Sequence, residues 1–129
     1  MAALCSDTPF NKDHMKNFFR SFVYAFQGIM SGISRERNLK VQVAVALLVV
    51  GAGFYVRITP EEWCIVVLCI GMVIGLELMN SAIESLVDLV TLERNPLAGR
   101  IKDVAAGAVL VVSCMAVVIG VLIFRKYLL

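Results

Sequence analysis

The chain has 129 residues, 60% of them hydrophobic, and a mean hydropathy of +0.85. Soluble domains hold about 45–50% apolar residues, so composition argues against a water-soluble globule, and the length predicts one domain over 1–129. A net charge of +2 is too small for a nucleic-acid surface; Lys12, Lys16, Arg20, Arg35, Arg37 and Lys40 instead all precede the first long apolar run, which suits a membrane surface.

The opening "MAALCSDTP" lacks the basic start and long apolar stretch of a leader peptide. The first expected helix spans about 11–34. Met15, Phe18, Phe19, Phe22, Phe26, Ile29, Met30 and Ile33 recur at steps of three and four, while Lys16, Arg20, Tyr24, Gln27 and Ser31 mark the other side. Asn11 is placed to cap it, with Asp13 in the first turn where the helix dipole favours an acid. An aromatic face opposite a basic face describes a helix lying in the bilayer interface.

Three apolar spans follow, at about 39–56, 62–91 and 101–124. The first has no charge between Val41 and Val56 and is short for a crossing of about 20 residues; Leu39 and the stem of Lys40 lengthen it, because lysine near a helix end extends its ammonium to water. In the turn "RITPEEW", Pro60 can open a helix after Thr59, and Trp63 stands at an interface position. The polar connection "ERNPLAGRIKD" precedes the third span, whose 21 residues from Val104 to Phe124 carry no charge. Cys64, Cys69 and Cys114 sit within apolar runs and, like Cys5, lack paired spacing, so neither disulfides nor a zinc site is expected. The basic residues put the amino-terminal segment and the 93–103 connection in the cytoplasm; Arg125 and Lys126 then fall outside, against the trend.

Within the second span, "GLELMNSAIESLVDLVT" carries three carboxylates. Ionised groups in hydrocarbon cost several kcal/mol and usually mark function. Glu77, Asn80, Ser81, Glu84 and Asp88 fall within an arc of roughly 100° on a helix, a polar stripe that must face protein or water. A crossing that begins near Trp63 reaches the headgroups near Ala82, so Glu77 lies inside the membrane edge while Glu84 and Asp88 emerge from it. Glu36 and Glu84 offer oxygens to a hard divalent cation, Lys102 offers charge to phosphate beside Asp103, and a desolvated Glu77 can take a proton from a hydroxyl. Phosphoryl transfer needs these parts, although no Gly-rich phosphate loop or protein-kinase signature is present.

"ELMNSAIESLVDLV" followed by "KDVAAGAVLV" resembles the small prokaryotic integral-membrane lipid kinases, the diacylglycerol kinase and undecaprenol kinase family. The pattern Glu-x-x-Asn-Ser-Ala-Ile-Glu-x-x-x-Asp runs intact from Glu77 to Asp88, and the likeness extends from about Phe18 to Phe124, including "YAFQGI" and "ERN". The resemblance implies an all-α integral membrane protein of three transmembrane helices and an amphipathic surface helix. It also implies a homotrimer with sites shared between subunits, in the bacterial inner membrane, acting at the cytoplasmic face with ATP and Mg2+. By the same resemblance Glu77 is the base on the lipid hydroxyl, Asn80 positions the reactants, and Glu36 and Glu84 hold magnesium. Lys102 contacts the nucleotide phosphates, Asp88 and Asp103 match further polar positions, and Arg20 and Tyr24 approach the nucleotide or headgroup from the surface helix. Phe26, where some relatives have tryptophan, and Arg94-Asn95, where some have Tyr-His, are departures that bear on adenine and headgroup contacts. The rival class is a small transporter or proton-conducting subunit, which also carries membrane carboxylates but ordinarily places one near mid-bilayer, without a cluster at one edge.

Overall fold

A computed structural model describes residues 12–129; the Asn11 cap, the character of the opening segment and Cys5 lie outside the described residues. Among the described residues four helices appear in order: α1 (Lys12–Arg35), α2 (Arg37–Val56), α3 (Pro60–Val90) and α4 (Pro96–Leu128). No strand occurs among the described residues. The chain divides after Ser31 into two compact units.

In the first unit, α1 leaves Phe18, Phe19, Phe22 and Phe26 exposed. The Phe18 ring meets Phe22 edge-on with centroids 5.1 Å apart, and Phe19 at 6.1 Å. Together they form a continuous aromatic face of the kind that enters the acyl–headgroup boundary.

In the second unit, α2, α3 and α4 are each long and apolar enough to cross a membrane. Few of their side chains are buried within the chain: among the described residues the buried apolar ones are Leu39, Val66, Val109 and Ile123, with Ile58 of the α2–α3 connection. Leu47, Leu48, Phe54 and Val117 point outward instead, a surface that belongs in lipid or against other membrane helices. α3 packs most extensively on α4 and less on α2.

The α2–α3 connection is built from local chemistry. Arg57 ends α2 in the left-handed region (φ 58°), and its N–H bonds to Gly53 O. Thr59 then caps α3: its Oγ1 accepts from Glu62 N at 3.3 Å, Glu62 Oε2 accepts from Thr59 N at 2.9 Å, and Pro60 opens the helix as its fixed φ favours. The absent side chain of Gly53 lets Trp63 lie against α2; an added Cβ there would stand 3.0 Å from the indole ring. Thr59→Ala removes the cap and should cost about 1 kcal/mol, visible as a lower unfolding midpoint in detergent micelles with the catalytic rate of the folded protein unchanged. An unaltered midpoint would mean the cap contributes nothing.

The helices outrun the hydrophobic spans. α3 has 31 residues and α4 has 33, about 46 and 50 Å at 1.5 Å per residue, against about 30 Å of hydrocarbon. The connection expected over 93–103 is therefore mostly helix. Asn95 caps α4 by accepting from Leu97 N at 2.8 Å, Pro96 occupies the first turn, and Gly99, Arg100, Lys102 and Asp103 are all helical. A hydropathy span reports where lipid contact stops, whereas capping decides where a helix starts.

At the far end from the carboxylate stripe, Glu62 is buried. It forms an ion pair with Lys126 and accepts from the Tyr127 hydroxyl. An acid from the start of α3 thus offsets the charge of Lys126.

Candidate active site

The stripe on α3 grades from interior to surface. Glu77 and Asn80 are buried at 4% and 6% exposure, Ser81 and Glu84 are half-buried, and Asp88 is exposed. Helical periodicity brings these polar groups onto one side, and packing against neighbouring helices covers its inner end.

Glu77 has a partner that the motif does not contain. Gln42, one turn into α2, donates from Nε2 to Glu77 Oε2 at 3.0 Å. Its signal was present in the sequence: Gln42 is the only amide in the apolar run 41–56, and an isolated amide in such a run usually bonds across helices. The amide oxygen, Gln42 Oε1, is buried without a partner.

One turn further along, Asn80 Nδ2 donates to Glu84 Oε1 at 2.9 Å. Asn80 Oδ1 is buried and unpartnered. The pair therefore presents an uncommitted amide oxygen and a carboxylate side by side. Glu36 breaks the chain between α1 and α2 as the N-cap residue of α2, with extended backbone and a half-buried side chain that makes no capping bond. Its carboxylate is thus not consumed by the helix end.

Lys102 and Asp88 form an ion pair between α4 and α3. They line a cavity of about 520 Å³ at the α3–α4 turn, of mixed polar and apolar lining, with Thr91, Glu93, Arg94 and Asn95. Asp103 is exposed beside them. Arg20 and Tyr24 are exposed on α1, one turn apart. The structure thus joins Glu77 to Gln42, Asn80 to Glu84 and Lys102 to Asp88, and leaves Asp103 out of these pairings.

The donor set suits a small divalent cation. No group of three His, Cys, Asp or Glu side chains that could hold a metal exists among the described residues. A magnesium ion in a kinase needs no such cage, because it keeps several waters and binds through one or two carboxylates and the substrate phosphates. The open Asn80 Oδ1 beside Glu84 provides hard oxygen donors of the required type.

Comparison with known proteins decides among the chemistries this arrangement permits. The family model "Prokaryotic diacylglycerol kinase" matches residues 23–124. The chain belongs to this family. It is similar to the undecaprenol kinase of Bacillus subtilis, 45% identical over 117 residues, covering 88% of this chain and 95% of that protein. It also matches the diacylglycerol kinase of Synechocystis, 34% identical over 105 residues (81% of this chain, 60% of the relative). The diacylglycerol kinase of Haemophilus influenzae is 29% identical over 112 residues (85% and 95%). The protein is therefore a lipid kinase of the membrane, not a transporter or proton channel, and membership of the family implies a lipid substrate and ATP as phosphoryl donor.

Proposed function

We propose that the protein transfers the γ-phosphate of ATP to the primary hydroxyl of a membrane lipid alcohol, with undecaprenol as its preferred acceptor over diacylglycerol. The observation that carries this reading is Glu77, a carboxylate buried within a membrane helix and held by an amide from the neighbouring helix. A group kept there at such desolvation cost is suited to accept a proton from an alcohol anchored in the bilayer. The alcohol oxygen bonds the γ-phosphorus, the bond to the bridging oxygen breaks, ADP leaves with the electron pair, and Glu77 holds the hydroxyl proton.

In the same proposal Glu84 and Glu36, with Asn80 Oδ1, hold Mg2+, which when bound neutralises charge on the phosphates. Lys102 exchanges its Asp88 partner for phosphate oxygens, and Arg94 and the amino-terminal end of α4 face the same cavity, whose lining also includes Glu93. Asp103, Arg20 and Tyr24 approach the nucleotide or headgroup. The enzyme acts at the cytoplasmic face of the bacterial inner membrane as a homotrimer with sites shared between subunits. The outward apolar surfaces of α2 to α4 are compatible with such packing. Undecaprenol is preferred because the relative of that name is 45% identical, whereas the two diacylglycerol kinases compared are 29% and 34% identical.

The test is phosphate transfer from labelled ATP in mixed micelles with Mg2+, offered to undecaprenol and diacylglycerol side by side. Transfer to both is expected, with the higher kcat/KM for undecaprenol. A higher kcat/KM for diacylglycerol would reverse the assignment of acceptor, and no transfer to either by folded protein would overturn the reaction.

A further inference from the structure

Gln42 offers more than its bond to Glu77 uses. With Nε2 placed 3.0 Å from a carboxylate oxygen, the reversed amide would set its oxygen against the oxygen of a carboxylate acting as base. The orientation of Oε1 is thereby decided. That oxygen is buried without a partner, a state that costs about 1–3 kcal/mol and that an apolar side chain of the same shape would avoid. Gln42 also lines one end of an apolar groove of about 540 Å³, bounded by Val45 and Val49 of α2, Val66 and Ile70 of α3 and Val117 of α4. Of the side chains lining this groove, Gln42 is the one that hydrogen-bonds Glu77. An unsatisfied acceptor at that point suits a ligand with a hydrocarbon body and one hydroxyl donor.

We infer that Gln42 is the positioning residue of the reaction. Its N–H fixes Glu77 Oε2, which leaves Oε1 of the carboxylate for the proton. Its own Oε1 accepts the O–H of the incoming alcohol, so the hydroxyl is held beside the base before transfer. The assignment rests on Glu77 being the base. It adds a residue outside the α3 motif and a purpose for the open amide oxygen. The nucleotide side of the reaction is independent of it.

Gln42→Met keeps length and volume but loses donor and acceptor, and Gln42→Asn keeps the amide one methylene short. Lipid phosphorylation by Gln42→Met should fall about 10–100-fold in kcat/KM for the alcohol, the usual effect of losing a residue that orients a reacting group. KM for ATP should stay within about twofold, because uniform nucleotide binding is untouched. Gln42→Asn should recover part of the loss, and combining Gln42→Met with Glu77→Gln should cost nothing beyond Glu77→Gln alone. Near-normal turnover in both Gln42 variants, with Glu77→Gln inactive, would overturn the role of Gln42 and leave the base in place. A rise in KM for ATP matching the loss of turnover would overturn it too, by revealing a purely structural effect. Activity surviving Glu77→Gln would instead remove the base itself and the positioning role with it.

Discussion

Glu77→Gln should reduce lipid phosphorylation by roughly a thousandfold, within the range general base catalysis contributes, while the protein still inserts and assembles. The substitution is nearly isosteric. Its carbonyl oxygen can still accept from Gln42 Nε2, so the cross-helix bond at 3.0 Å has a neutral replacement and α2 keeps its anchor on α3. What disappears is the capacity to take up a proton. KM for ATP should change little, because Glu77 lies deeper along α3 than the cavity at Asp88 and Lys102. The measurement is steady-state transfer to undecaprenol in micelles, paired with a thermal unfolding curve. Retained turnover in a normally folded variant would show that the proton leaves by another route.

The second large effect is expected at Glu84. Glu84→Gln can keep the bond from Asn80 Nδ2, so the local helix surface survives, but the site loses a negative charge directed at the cation. A Mg2+ ion bound mainly by phosphates and water depends heavily on its one or two protein carboxylates. The Mg2+ concentration for half-maximal activity should therefore rise by about 10–100-fold, with part of the turnover recovered at high Mg2+. Glu77→Gln provides the contrast, since excess metal cannot replace a base. A Mg2+ titration identical to that of the unaltered protein would remove Glu84 from the metal site.

The two substitutions separate functions that lie seven residues apart on one helix. Two helical turns carry Glu77 and Glu84 from the buried to the half-buried part of the stripe, which places the proposed base on the lipid side of the proposed cation ligand. A stripe that grades in burial therefore suits two reactants arriving from two solvents.

The sequence alone carried a good deal of this. Apolar runs long enough to cross hydrocarbon leave the backbone no alternative to helix, so three spanning helices were legible from hydropathy. The Thr59-Pro60 start of α3 was legible from capping chemistry. The Glu77–Asp88 stripe follows from the 3.6-residue period, and its polar pattern was specific enough to point to the family. Other features depended on which helix lies beside which. Nothing in the spacing of Gln42 and Glu77, 35 residues apart, sets an amide against a carboxylate; the packing of α2 on α3 does. The same holds for Lys102 with Asp88, where a turn at 91–95 folds α4 back along α3, and for Lys126 with Glu62 at the opposite end of those two helices. Local chemistry decides which residues are helical and which face is polar. Only tertiary packing decides which buried charge meets which donor, because a buried polar group in a membrane must find its partner across the helix interface it happens to face.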